Sequence, residues 1–327
     1  MPRVASRYWR PNLIAGMILA MTAGILYTNF DPVPVGESPV RASDREFPGI
    51  AEIIVPTPPE AAGLPVAESA PHDSDAVDTM PETAPSTLSN NELIEYSMFL
   101  LRDGVDYLKQ FPTYTAMFHK QERLGGDLSD VQNIELKIRQ SPTFAVYMKW
   151  RNGHRGRQLL YSDEYEDGNM VVKLGGFKGR LLPGLRLNPN GSKARSEARH
   201  SVTQSGIMAM AEQMIAHRRR DLAAGHGIRC TRLPNQEFND RACCGFLFEY
   251  ESPRVSQEYR KSLALLDAEH HFPVLARNYT WAAESTDLSE QELDALTLIE
   301  NYSYTGIDFS KTLTALDFSR ENRRYRM

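Results

Sequence analysis

Between Ile134 and Tyr161 the chain reads IELKIRQSPTFAVYMKWRNGHRGRQLLY, and no other stretch constrains the fold so strongly. Ile134, Leu136 and Ile138 alternate with Glu135, Lys137 and Arg139, the period of a half-buried strand. Ser141-Pro142 interrupts the run, because proline brings no donor to a ladder. Phe144, Val146, Met148 and Trp150 then resume the alternation, and Asn152-Gly153-His154 turns the chain into a third strand, 157–162. The stretch is therefore an antiparallel meander with one bulky apolar face. That face has to be covered or used.

Two helices are available to cover it. Ser89 and Glu92 form a capping box ahead of Leu93, Ile94, Met98, Leu101, Val105 and Leu108, which recur at helical spacing until Phe111-Pro112. A second helix is expected over 203–223, with Met208, Met210 and Met214 on a broad apolar face. Further strands are expected at 114–123, 170–174, 227–233, 242–251, 259–267, 272–281 and 296–304, and Ser289 with Glu292 marks a short helix start. Residues 174–187, LGGFKGRLLPGLRL, are glycine-rich and basic but lack the frame of a phosphate loop, so an irregular connection or edge-strand pair is expected there. The tally implies an α+β fold, a strongly curved antiparallel sheet (an incomplete barrel) packed on two helices.

The formal charge of −5 is unevenly spread. Residues 1–30 carry Arg3, Arg7 and Arg10 and no acid, 31–88 carry a net of −9, and 89–327 are left at +1. A near-neutral body speaks against nucleic acid, which calls for a basic footprint. Residues 13–30 are almost wholly apolar or small and follow the arginines. This predicts an export signal, an uncleaved membrane anchor or both, the anchor being preferred, with the N-terminus inside and the body outside. The stretch 31–88 holds eleven of the twenty prolines and few aromatics, and is expected to be a disordered linker. The organisation expected is thus a membrane segment at 1–30, a linker at 31–88, a folded domain at 89–319 and a basic, fraying tail at 320–327.

Chemistry is sparse. Glu269-His270-His271 is the one tight ligand-like cluster, and it falls where a hairpin turn is expected. No histidine pair has zincin spacing and no cysteine pair has zinc-finger spacing. Cys230, Cys243 and Cys244 are few, and either a Cys230–Cys243 bridge or three small core residues is compatible with their positions. No cofactor and no catalytic residue is predicted.

The run 114–161, with Tyr114, Phe118, Lys120-Gln121-Glu122-Arg123, Arg139, Pro142, Val146 to Trp150 and Leu160-Tyr161, resembles an uncharacterised bacterial envelope family known as domain of unknown function 1571. Gly191, Gly206, Cys230, Pro273, Tyr302 and Tyr304 extend the resemblance. More distantly, the order strand, arginine, proline, phenylalanine, tryptophan is similar to the Lol-type periplasmic lipoprotein carriers. Those are incomplete barrels closed by helices over an apolar cavity for acyl chains, in which an arginine directly before the proline holds the lid shut. Arg139 is the matching position, although Gln140 and Ser141 separate it from Pro142 and its parity is opposite to that of Ile138. The resemblance implies a non-enzymatic envelope protein that binds a lipid or lipidated partner, with Phe144, Val146, Met148, Trp150 and Met214 on the apolar face. The alternative is a filled barrel acting as an interaction module. An envelope-polymer hydrolase is a third reading, with Glu269, His270 and His271 as its one candidate site.

Overall fold

The computed structural model describes residues 88–283 and 287–327, with the side chains of Lys178 and Arg180 excepted. The expected membrane segment and nearly all of the linker lie outside the described residues. Among the described residues no helix is long and apolar enough to cross a membrane.

Helix α1 (Asn90–Leu108) begins at the Ser89–Glu92 capping box foreseen from the spacing. Twelve strands follow: β1 (Thr113–Leu124), β2 (Asp127–Leu128), β3 (Gln132–Arg139), β4 (Ala145–Trp150), β5 (Gln158–Ser162), β6 (Met170–Lys173), β7 (Leu185–Leu187), β8 (Ile228–Glu237), β9 (Ala242–Tyr250), β10 (Lys261–Asp267), β11 (Pro273–Tyr279) and β12 (Leu298–Asp308). Helix α2 (Ile207–Ala224) joins the first seven strands to the last five, and α3 (Glu290–Thr297) precedes β12. Leu296, expected on the last strand, instead lies in the last turn of α3, which is opened by the Ser289–Glu292 capping box.

Every pairing is antiparallel, in the order β7-β6-β5-β4-β3-β1-β12-β11-β10-β9-β8, with β2 set against the end of β1. The sheet is two meanders, β1–β7 and β8–β12, joined where β1 pairs with β12. Its outermost strands, β7 and β8, leave it open. Residues of both arms, among them Leu136, Met148, Leu159, Val274 and Ala276, share one apolar cluster with Ile207 and Met210 of α2. The sheet therefore curls around α2. Helix α1 packs on α2 and β8 over a second cluster, in which Ile94, Met98 and Leu101 meet Phe246, Phe248 and Leu266. The first helix thus covers the β8–β10 arm rather than the meander that opens the sheet. Gly104 makes this approach possible, since a Cβ there would stand 2.5 Å from the carbonyl oxygen of His271.

The register Ile134↔Trp150, Leu136↔Met148, Ile138↔Val146 puts the whole apolar series of β3 and β4 on the concave side. The opposite face of this arm is also buried. Ala145, Tyr147, Leu160 and Val171 are covered by Phe318 and Tyr325, and the rings of Tyr147 and Tyr325 stack at 3.8 Å. Lys137 fixes the same segment through Asp317 at 2.6 Å. The tail expected to fray is a packed layer, because Tyr325 among its charges joins Phe318, just ahead of it, on an apolar outer face.

Candidate functional site

A cavity of about 50 Å³ lies between α2 and the arm β9–β12. Its floor is two rungs of the sheet read across four strands. Phe248, Ser262, Asn278 and Glu300 form one, and Phe246, Ala264, Ala276 and Tyr302 the other. Ser262, Ala264 and Ala276 are the smallest members, and their adjacency leaves the space. The roof is Met210, Gln213, Met214 and His217, spaced i, i+3, i+4 and i+7 on one side of α2. Leu101 and Ser97 of α1 close one flank. The cavity is thus apolar over the alanine rung and polar over the other.

The polar end is anchored by a buried carboxylate. Glu300 is 2% exposed and accepts hydrogen bonds from Tyr259 Oη (2.8 Å), Asn278 Nδ2 (2.7 Å), Arg199 Nε (2.9 Å) and, at 3.0 Å, His200 Nε2. Glu122, equally buried and opposite it on β1, accepts from Tyr302 Oη at 2.6 Å and pairs with Lys120 at 3.0 Å. Burial alone raises a carboxyl pKa, but the bond and charge of His200 and the charge of Arg199 outweigh it, so Glu300 is held far below the usual range. For His200, burial opposes the cation, yet the bond to Glu300 prevails and raises the imidazole. His217 has no hydrogen-bonded carboxylate among the described residues. Burial, and after it Arg220 and Arg218, lower it to about 4, so the roof presents a neutral imidazole at pH 7. The cluster pins the connection bearing Arg199 and His200 to the centre of the sheet.

The residues singled out from the sequence are divided by the fold. Val146, Met148 and Trp150 are buried in the main cluster and Phe144 packs against it, with Trp150 Nε1 donating to Gln132 Oε1 at 2.8 Å. None of these four lines the cavity. Met214 does, from the roof.

Arg139 reaches neither α1 nor α2. Its parity carries it to the outer face, where it bonds Thr143 O and Oγ1 at 3.0 Å and Glu164 at 2.7 Å, beneath the Phe318 ring. It ties the β3–β4 turn to the β5–β6 turn. The neighbouring Gln140 makes the helix contact instead, its Nε2 donating at 2.7 Å to the carbonyls of both Leu108 and Phe111 at the end of α1.

Cys230 and Cys243 are free thiols. Cys230 stands opposite Phe248 on the β8–β9 ladder, five residues from Cys243, or roughly 17 Å along a strand, far beyond the reach of a disulfide. Burial pushes both thiols up to about 12, as for inert core residues.

The 269–271 turn lies on α1 without forming a ligand set. His270 stacks on Tyr107 at 4.0 Å, and His271 Nδ1 is 2.7 Å from Asp103. Among the described residues no group of three or more His, Cys, Asp or Glu side chains is placed to hold a metal.

The Glu300 cluster is the part of the site that sequence reasoning passed over. Its signal was present: Glu300 shares the parity of Leu298, Tyr302 and Tyr304, and Glu122 that of Tyr114 and Phe118, so both acids sit on the core side of their strands.

The sequence profile of the family described as "Protein of unknown function (DUF1571)" matches residues 111–327. No curated protein matches the sequence. Among solved structures, the chain is similar to a putative outer membrane lipoprotein-sorting protein domain from Vibrio parahaemolyticus, at 12% identity over 72% of this chain and 100% of that one, with a TM-score of 0.34. It is also similar to the Mycobacterium tuberculosis lipoprotein LppX (9% identity, 67% and 99% covered, TM-score 0.36). A LolA superfamily protein from Nitrosomonas europaea matches at 9% identity, with 69% and 98% covered and a TM-score of 0.29. These are likenesses to those proteins, and no activity follows from them.

Proposed function

The chain belongs to the family described as protein of unknown function DUF1571, and from its geometry we propose that it is a non-enzymatic cell-envelope protein that binds the acyl part of a lipid or lipidated partner beneath α2. The cavity between the methionine-lined face of α2 and the floor of small residues carries this reading. The Ser262–Asn278 rung would meet the polar end of the ligand and the Ala264–Ala276 rung its chain. Residues 13–30 would hold the protein in the inner membrane, with the body on the periplasmic side.

A cavity of about 50 Å³ holds water but not an acyl chain. Binding therefore requires α2 to lift. Gly206 at its start has φ +106° and Gly225 at its end φ +71°, so both ends of the helix turn on residues that tolerate large dihedral changes. Thioethers on the moving face repack at low cost. Each methylene taken from water contributes about 0.8 kcal/mol, so a long chain offsets the work of opening.

The test is uptake of a fluorescent fatty acid by delipidated protein. Ala264→Leu with Ala276→Leu fills the floor and should lower affinity at least about tenfold, the equivalent of 1.4 kcal/mol, without loss of fold. Absence of uptake by the unaltered protein sinks the proposal. The small volume favours the second reading, a filled barrel acting as an interaction module, and that same result would select it.

A further inference from the structure

At one end of the β4–β7 hairpins, two turns lie side by side away from the cavity. The β4–β5 turn, 151–157, meets the β6–β7 connection, 174–184, where a Cβ on Gly175 would stand 2.3 Å from the Arg155 carbonyl oxygen. A Cβ on Gly179 would stand 1.7 Å from the carbonyl oxygen of Leu174, and Gly176 has φ +65°. The connection is folded tightly on its own backbone, which leaves little room for its large side chains to turn inward. Phe177 is 72% and Leu181 69% exposed, and Leu182 and Leu185 are also exposed. Single exposed apolar residues are ordinary; four within nine residues are not.

Along the stretch of chain that carries them the charge has one sign. Residues 168–196 contain Lys173, Lys178, Arg180, Arg186, Lys193 and Arg195 and no acid. Arg186 and Lys193 are taken up by Glu166, Asp167 and Glu197. Arg155, exposed on the adjoining turn, has no ionic partner among the described residues. Lys173 donates to the carbonyl of Arg326, which brings the basic C-terminus to this end. Apolar side chains at the tip, with the exposed Arg155 on the adjoining turn and a basic sequence on both sides, suit a bilayer interface, where apolar groups enter the acyl boundary and cations meet lipid phosphates.

We propose that the surface formed by turns 151–157 and 174–184 docks the folded body on anionic lipid headgroups, with Phe177 and Leu181 entering the interface. It is independent of the cavity and of residues 13–30.

The test places a tryptophan at the tip of the full chain, F177W, and a control, F99W, at the exposed Phe99 of α1 (62% exposed). Each is read as the difference from the unaltered protein on vesicles of phosphatidylcholine alone or with phosphatidylglycerol. The F177W emission should shift to the blue and be quenched by brominated acyl chains on the anionic vesicles, with F99W unmoved. The quenching should weaken between about 0.05 and 0.5 M salt, as the screening length shortens. In the F177W background, Leu181→Ser should lower vesicle partitioning of this tip about tenfold and Arg155→Ala roughly fivefold. An F177W tryptophan that stays open to aqueous iodide on both vesicles overturns the proposal and leaves the surface to a protein partner. Equal responses of F177W and F99W overturn it as well, since they would mark unspecific adsorption.

Discussion

The two arms of the sheet receive the same helix and do opposite things with it. On the β3–β6 arm the concave residues are Ile134, Leu136, Ile138, Val146, Met148, Leu159 and Val172, all buried in one cluster, and the convex side is covered by the C-terminal segment. On the β9–β12 arm the concave rungs mix phenylalanine with serine, alanine, asparagine and glutamate, and a cavity remains. Uninterrupted apolar alternation therefore marks the solid wall, whereas the interrupted pattern marks the place where a ligand could enter. Bulky side chains on adjacent strands fill the space they line; small ones in register, beneath a helix bounded by glycines, leave it.

The largest expected effect falls on the polar end. Glu300→Ala leaves Arg199 and His200 facing a buried gap without their carboxylate and removes the acceptor for Tyr259 and Asn278. Breaking a buried pair in this way costs about 3–5 kcal/mol. The urea-unfolding midpoint reads it. A loss below about 1 kcal/mol, the worth of an exposed pair, would remove the claim that this cluster holds the centre of the sheet.

Two methionines then compare the arms directly. Met148, 6% exposed in the solid arm, should lose about 3 kcal/mol on change to alanine. Met214 borders the existing cavity and is only half-buried, so Met214→Ala should cost about 1 kcal/mol, toward the mild end for core substitutions. Acyl-probe affinity should respond in the reverse order, unchanged in Met148→Ala and altered in Met214→Ala. Equal losses of stability, or a binding defect in Met148→Ala alone, would return the binding wall to the first meander.

The sequence made the meanders and the long helices legible because period and capping act locally. Ile134 to Trp150 could hardly be anything but paired strands, and Ser89 with Glu92 announced α1. What escaped depends on pairing across the chain. No local pattern says that Ser262, Ala264 and Ala276 stand in adjacent register, or that Glu122 and Glu300, 178 positions apart, face each other across β1 and β12. Arg139 illustrates the same limit. Its order relative to proline suggested a latch, while its parity, visible from the start, already assigned it to the other face. Gln140, one residue on, takes the helix contact because the chain leaves the strand there and is free to turn inward.

The most selective effect isolates one group on the roof. His217 titrates near 6.5 in the unfolded chain and at about 4 in the fold, where burial first and then Arg220 and Arg218 disfavour its cation. As pH falls below about 6.5 the unfolded state takes the proton first, so stability declines until the folded imidazole also titrates near 4 and the loss ends. The difference between the two values bounds that loss at about 3 kcal/mol, and partial hydration of the cavity mouth reduces it. Glu300 acts in a lower window, because a depressed carboxylate contributes stability above about 4.5 and loses it only as pH drops toward its folded value. His200 acts in a higher one, its raised pKa supporting the fold below about 6.5 and ceasing to do so as pH rises through its folded value. Between pH 6.5 and 4.5 the roof histidine therefore stands apart from the other two groups of the site. His217→Gln should flatten that part of the stability–pH curve and leave the rest in place. An unaltered curve in the variant would mean that His217 is solvated in the native state and that the roof is already open, which would move the cavity arm toward an accessible groove and sharpen its contrast with the solid one.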